Sequence, residues 1–262
     1  MRSAPLDLAH RHAELLQQHL GGCCVGLYLT GSVALGDYRA GTSDVDAVAV
    51  LDRELDLDVD GDALRLVHRE LMAGDDEPPY DCTYIPQAWL RHQPAAGTKT
   101  PFSLDGELHF GAEAFMVSPP TWLELRQSVR VHGPESGTLE IADVSGTLRQ
   151  WTLDNLHDYW AVTAARARHD LGGRPPDQPA AAAGVLWLAL GAPRLHATLA
   201  TGRIISKTEA GSYAAARWPL FAALLARCVQ ARAGAAQAFT TDDGLAACDL
   251  VDVVVADAAR TS

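Results

Sequence analysis

The sequence predicts an α/β (α+β) amino-terminal half, residues 1–150, followed by an all-α helical bundle, residues 151–262. Three observations lead there. Before residue 150, short β-branched apolar runs alternate with stretches of helical periodicity. After Leu153 the strand signals stop, and apolar residues recur at helical spacing. The turn-forming residues Gly133-Pro134 and Gly137 to Gly146 cluster just before the change.

In chain order, the first half reads as a helix over Leu6–Leu20, strands over Val25–Leu29 and Val45–Leu51, a helix near Asp62–Met72, and a strand over Tyr80–Ile85. Glu107–Phe110 and Glu113–Val117, separated by Gly111-Ala112, read as a hairpin, with a helix over Pro120–Arg130 behind it. The second half reads as helices over 153–171, 180–200, 207–232 with a break near Pro219, and 242–259. The biased stretch Pro175–Ala183 marks a turn into an alanine-rich helix.

Composition narrows the class. The formal net charge of −12 argues against general nucleic-acid binding, which draws on cationic contacts to phosphates, and suits a small or cationic partner. The longest apolar run, Ala180–Ala192, ends at Pro193-Arg194, short of the ~20 residues that cross a bilayer, and no leader-like pattern opens the sequence, so a cytoplasmic protein with no membrane partner is expected. The five cysteines form no CxxC or zinc-type cluster, and reduced, buried thiols are the expectation. Lysine occurs only at Lys99 and Lys207, so arginine is the default cation.

The segment Gly26–Val50, GLYLTGSVALGDYRAGTSDVDAVAV, carries the chemistry. An apolar strand runs into Gly31-Ser32, where a glycine allows close backbone approach and the Ser32 hydroxyl with nearby amides can hold phosphate oxygens. A loop then delivers Asp44-Val45-Asp46 at the start of a β-branched strand. Side chains two apart on a strand share a face, and two carboxylates so placed repel each other unless a cation lies between them. An oxygen-only donor set suits magnesium. Asp81, inside the apolar run Tyr80–Ile85, is the candidate third acid; the alternative places it at the edge of the acidic turn Asp75–Pro79. The acidic run Asp52–Asp62 reads as a solvated loop and helix start.

Gly-Ser, eleven residues, Asp-hydrophobic-Asp, then hydrophobic-Asp-hydrophobic resembles the polymerase-beta-type nucleotidyltransferase superfamily. Followed by an all-helical half, the arrangement resembles the bacterial aminoglycoside adenylyltransferases that modify streptomycin and spectinomycin. Weaker matches are Glu107–Gly111, Gly133-Pro134, and Arg194 followed thirteen residues later by Lys207. The resemblance implies a mixed sheet flanked by helices in the nucleotidyltransferase domain, two Mg2+ ions, ATP as donor, and a small-molecule acceptor bound by a monomer or weak dimer. It implies that Asp44 and Asp46 hold metal, that Asp81 takes the place of a glutamate base, and that Gly31, Ser32, Ser43, Arg194 and Lys207 contact the nucleotide. Independently, Ser206-Lys207-Thr208-Glu209 fits a capping box, which places the cation Lys207 in a first helical turn where the dipole disfavours it. The family's drug-binding acids are matched at most by Asp177, because no Asp or Glu occurs from Gln178 to Thr208. Two other functions compete: the same chemistry on a different acceptor, and a non-catalytic nucleotide-binding module.

Overall fold

The computed structural model describes residues 4–74, 77–95, 97–104, 106–110 and 115–260. The chain divides between Val144 and Ser145 into two compact units.

The first unit is built on a six-stranded mixed sheet. Its strands are β1 (Cys24–Leu29), β2 (Val45–Leu51), β3 (Tyr80–Pro86), β5 (Phe102–Leu104), β6 (Glu107–His109) and β8 (Val129–His132), in the order β6-β5-β3-β2-β1-β8. Only β2 and β3 run parallel; the remaining pairs are antiparallel. The short strands β4 (Lys99–Thr100) and β7 (Phe115–Met116) pair separately. Helices α1 (Ala4–His19) and α3 (Leu57–Leu71) pack apolar faces on the sheet through Leu8, Leu16, Leu64, Val67 and Leu71, all buried. Short α-helices among the described residues of the unit are α2 (Gly31–Ala34), α4 (Ala88–Arg91) and α5 (Pro120–Arg126). β2 reads VDAVAVL and is buried from Ala47 onward, so its β-branched run is a central strand with one polar position at its mouth.

Two sequence expectations change. The helix proposed to reach Arg130 stops at Arg126, and Val129–His132 instead pairs with β1 as an edge strand, its exposed Val129 and Arg130 giving no alternation to read. Glu107–His109 pairs with Phe102–Leu104 before it, not with the segment after it. The proposed Gly111-Ala112 turn, Glu113, and the acids Asp75 and Asp76 lie outside the described residues. The acidic run is also less solvated than expected: Asp56 caps α3 by accepting from the Asp58 amide, and buried Asp60 takes two bonds from Arg53, at 2.6 and 2.9 Å.

The second unit is helical, as expected. It contains α6 (Ser145–Asn155), a π-helical turn over Leu156–Ala161, α7 (Val162–Leu171), α8 (Ala182–Thr201), α9 (Lys207–Arg217), α10 (Ala222–Arg232) and α11 (Thr241–Ala258). A two-stranded pairing of β9 (Pro179–Ala180) with β10 (Phe239–Thr240) fixes the entries to α8 and α11. Trp160, Leu188, Leu225, Leu250 and Val254 lie in its core. No helix among the described residues is long and apolar enough to cross a membrane. All five cysteines are buried and free.

A buried polar chain ties both helices to β3. His12 of α1 bonds the Tyr80 hydroxyl through Nδ1 (2.9 Å) and the Tyr84 hydroxyl through Nε2 (2.8 Å), and His68 Nε2 of α3 meets Tyr84 at 2.6 Å. Burial keeps both rings neutral: His12 falls well below its ordinary value, aided by His68, and His68 is lowered to about 4. Unfolded, each ring titrates near 6.5, so the unfolded chain binds more protons between pH 6.5 and about 4. Stability is therefore full above pH ~6.5 and falls as pH drops through that window. Urea denaturation followed by circular dichroism should show the midpoint level above pH 7 and declining below 6.5, with a shallower decline in His68→Gln; an unchanged slope in that variant would remove His68 from this role.

Candidate active site

The parallel register of β2 and β3 sets Asp46 directly beside Asp81. Asp44, two residues before Asp46, emerges at the same mouth of the sheet. Each of the three carboxylates offers a ligand oxygen within 4.8 Å of the others, and all three side chains are partly exposed. The Asp44 charge also reaches Tyr38, whose phenol is pushed up first by burial and then by that carboxylate.

Gly31 closes the back of the cluster. Its φ of +50° lies in the left-handed region, and a Cβ there would sit 1.8 Å from Asp46 Oδ2. Both conditions independently require glycine. The Thr30 amide bonds the Asp46 carbonyl at 2.9 Å, which locks the end of β1 to the start of β2. Next to it, the Ser32 Oγ is buried with no hydrogen-bond partner among the described residues. An orphaned hydroxyl costs about 1–3 kcal/mol unless a ligand takes its bond, and a phosphate oxygen is a fitting acceptor.

The loop that returns to Asp44 is held by its own bonds. The Asp37 amide donates to the Ser32 carbonyl (2.8 Å), the Ser43 amide to the Arg39 carbonyl (2.8 Å), and the Arg39 amide to Ser43 Oγ (3.1 Å). Buried Asp37 pairs with Arg39 at 3.4 Å. Ser43 is thus buried and closes the turn, retaining its hydroxyl proton for donation. Asp37, Tyr38 and Arg39 were not singled out in the sequence; the run Asp-Tyr-Arg inside a glycine-bounded loop was the available signal.

Arg194 and Lys207 both belong to the second unit. Arg194 lies on α8, where its Nε donates to the Ile205 carbonyl at 3.0 Å, using one of its five N–H donors. The capping box forms, with Ser206 Oγ accepting from the Glu209 amide and Glu209 returning a bond to the Ser206 amide, so Lys207 opens α9. A cavity of about 430 Å³, lined by Leu51, Arg53, Pro86, Trp89 and Lys99 among others, opens at the far ends of β2 and β3. Five residues of strand, roughly 16 Å, separate it from the carboxylates, so it is not part of this site.

The donor set fits a divalent cation: oxygen ligands only, converging from two register-locked strands, beside a glycine-serine turn with an unsatisfied hydroxyl. A mixed sheet bearing such a site defines a class of phosphoryl- or nucleotidyl-handling proteins. Residues 11–84 match the family described as nucleotidyltransferase domain. No curated protein matches the sequence. Among solved structures, the chain is similar to spectinomycin adenyltransferase AAD(9) from Enterococcus faecialis, crystallised with ATP and spectinomycin, at a TM-score of 0.70 and 17% identity, over 95% of this chain and 98% of that one. The two chains share the fold through both units.

Since Gly31 leaves no room for a side chain beside Asp46, Gly31→Ala should displace that carboxylate. Mn2+ binding followed by electron paramagnetic resonance should weaken at least about tenfold, and the strained backbone should cost about 1–3 kcal/mol of stability in a melt. Native-like Mn2+ affinity would contradict the packing described.

Proposed function

We propose that this protein is a magnesium-dependent adenylyltransferase that moves the nucleoside monophosphate of ATP onto a hydroxyl of a small acceptor, foremost an aminocyclitol or aminoglycoside. The observation that carries the reading is the convergence of Asp44, Asp46 and Asp81 beside the Gly31-Ser32 turn. The solved adenyltransferase of the same fold, with ATP and spectinomycin bound, supports the choice of donor and acceptor.

In this reading Asp44 and Asp46 hold two Mg2+ ions, which supply charge neutralisation at the triphosphate and alignment of its α-phosphorus. Ser32 donates its orphaned hydroxyl to a phosphate oxygen, Ser43 donates likewise from the loop, and Gly31 lets the backbone approach. Asp81 accepts the proton of the acceptor hydroxyl, or completes the metal ligands, as that oxygen forms its bond to the α-phosphorus and pyrophosphate departs. Arg194 and Lys207 neutralise phosphate charge. A chain of net charge −12 suits a cationic small molecule better than a nucleic acid, and five buried thiols suit the cytoplasm.

Incubation with ATP, Mg2+ and spectinomycin or streptomycin should give a product heavier by one adenylyl group in mass spectrometry. No adduct on either antibiotic would remove them as acceptors. Asp46→Asn should lose at least about a thousandfold in turnover, as expected when metal-assisted charge stabilisation fails; a variant within tenfold of wild type would overturn the mechanism. Asp81→Asn separates its two roles: as base it loses turnover while Mg2+-dependent ATP binding survives, and as ligand it loses both.

The absence of acids from Gln178 to Thr208 favours a second reading, the same transfer to a less cationic acceptor. An acceptor screen with labelled ATP decides between them, since turnover confined to aminoglycosides would reject it.

A further inference from the structure

We propose that the cavity at the far ends of β2 and β3 is a second ligand site, one that takes a small, flat, uncharged ring compound. The site is independent of the adenylyl-transfer reading, because it lies wholly within the first unit and away from the carboxylates. Its volume, about 430 Å³, falls within the roughly 300–1,000 Å³ of typical small-molecule sites. Its walls are tied to one another by hydrogen bonds. The Gln87 amide donates to the Leu51 carbonyl at 2.6 Å, which closes the end of β2 onto the turn after β3. The Tyr84 amide donates to the Pro101 carbonyl at 3.1 Å, and the Thr100 hydroxyl donates to the Tyr84 carbonyl. Trp122 Nε1 donates to the Trp89 carbonyl at 3.1 Å, and the Tyr84 hydroxyl is locked by His12 and His68. An occupant of a pocket already ordered in this way bears little of the usual ordering cost.

The lining sets the chemistry of the ligand. Pro86, Pro94, Pro101 and Trp89 bring rigid rings to the cavity, and the buried residues Leu51 and Tyr84 also line it. Rigid flat faces favour a ligand that is itself flat and rigid. The cations of the lining are committed elsewhere: Arg53 gives two bonds to Asp60 and one to the Glu54 carbonyl, and Lys99 has an interaction of its own. Glu54 is exposed, so its carboxylate stays solvated. A charged ligand would exchange its hydration for these walls at a cost, whereas an uncharged ring gains by displacing water from them.

The test uses the full-length protein with indole as the probe and 5-fluorotryptophan in place of its six tryptophans. The 19F signal of Trp89, assigned by its loss in Trp89→Phe, should shift on titration and saturate with a Kd of about 1 mM or tighter, as expected for so small a probe. Thr98→Phe, which enlarges a half-buried lining side chain, should weaken indole at least about tenfold while the melting temperature holds. Tryptamine and indole-3-acetate, which add a positive or a negative charge, should bind no more tightly than indole. The flexible chain of 1-hexanol should bind at least about fivefold more weakly, since its rotors must be ordered. Saturating α,β-methylene-ATP with Mg2+ should leave the indole titration unchanged. No saturable shift at Trp89, undiminished binding in Thr98→Phe, a charged analogue tighter than indole, hexanol as tight as indole, or displacement by the nucleotide would each overturn the proposal.

Discussion

Three carboxylates crowd one end of a sheet, and the repulsion among them is the constraint to which the rest of the first unit answers. At separations near 4–5 Å, each like-charged pair costs on the order of a few kcal/mol even in a partly screened setting. No local preference would gather them. They are held by the parallel pairing of β2 with β3, which puts Asp46 abreast of Asp81 along seven registered residue pairs. The backbone must come close behind Asp46, and Gly31 is the residue that allows it. A cluster maintained against repulsion, beside the orphaned Ser32 hydroxyl, is what makes divalent metal and phosphate the fitting ligands and what disfavours a module that binds nucleotide without chemistry.

The strands that carry these acids are braced from behind by polar contacts as well as by apolar packing. His12, Tyr80, Tyr84 and His68 link α1, β3 and α3 through buried hydrogen bonds, so β3 cannot slide by a residue without breaking them. Such a chain is stable only while both rings remain neutral, which couples the rigidity of the strand bearing Asp81 to pH. In the helical unit, ion pairs such as Arg227–Asp243 and Arg217–Asp257 stand beside an aromatic stack of Trp160 on Trp187, which Gly191 leaves room for.

Much of this was visible in local patterns. The boundaries of β2 matched because a β-branched run with an acidic mouth has few other conformations available. The capping box at Ser206 and Glu209 formed because its two bonds involve residues three apart. The errors were of the opposite kind. Val129–His132 becomes a strand only because β1 offers it an edge, and β6 pairs backward to β5 where the spacing pointed to a forward partner.

By itself, then, the sequence determined the spacing of Asp44 and Asp46, the glycine-serine turn, the succession of mixed and helical halves, and the placement of Lys207 in a first turn, because each depends on residues near one another along the chain. Only the tertiary structure decided that Asp81 stands beside Asp46, that Gly31 is required by the Asp46 carboxylate, that Ser43 is buried as a turn closure, and that Trp187 stacks on Trp160 under Lys207. These depend on strand register, on a close approach and on the phase of a helix, none of which is encoded in the spacing of the residues concerned.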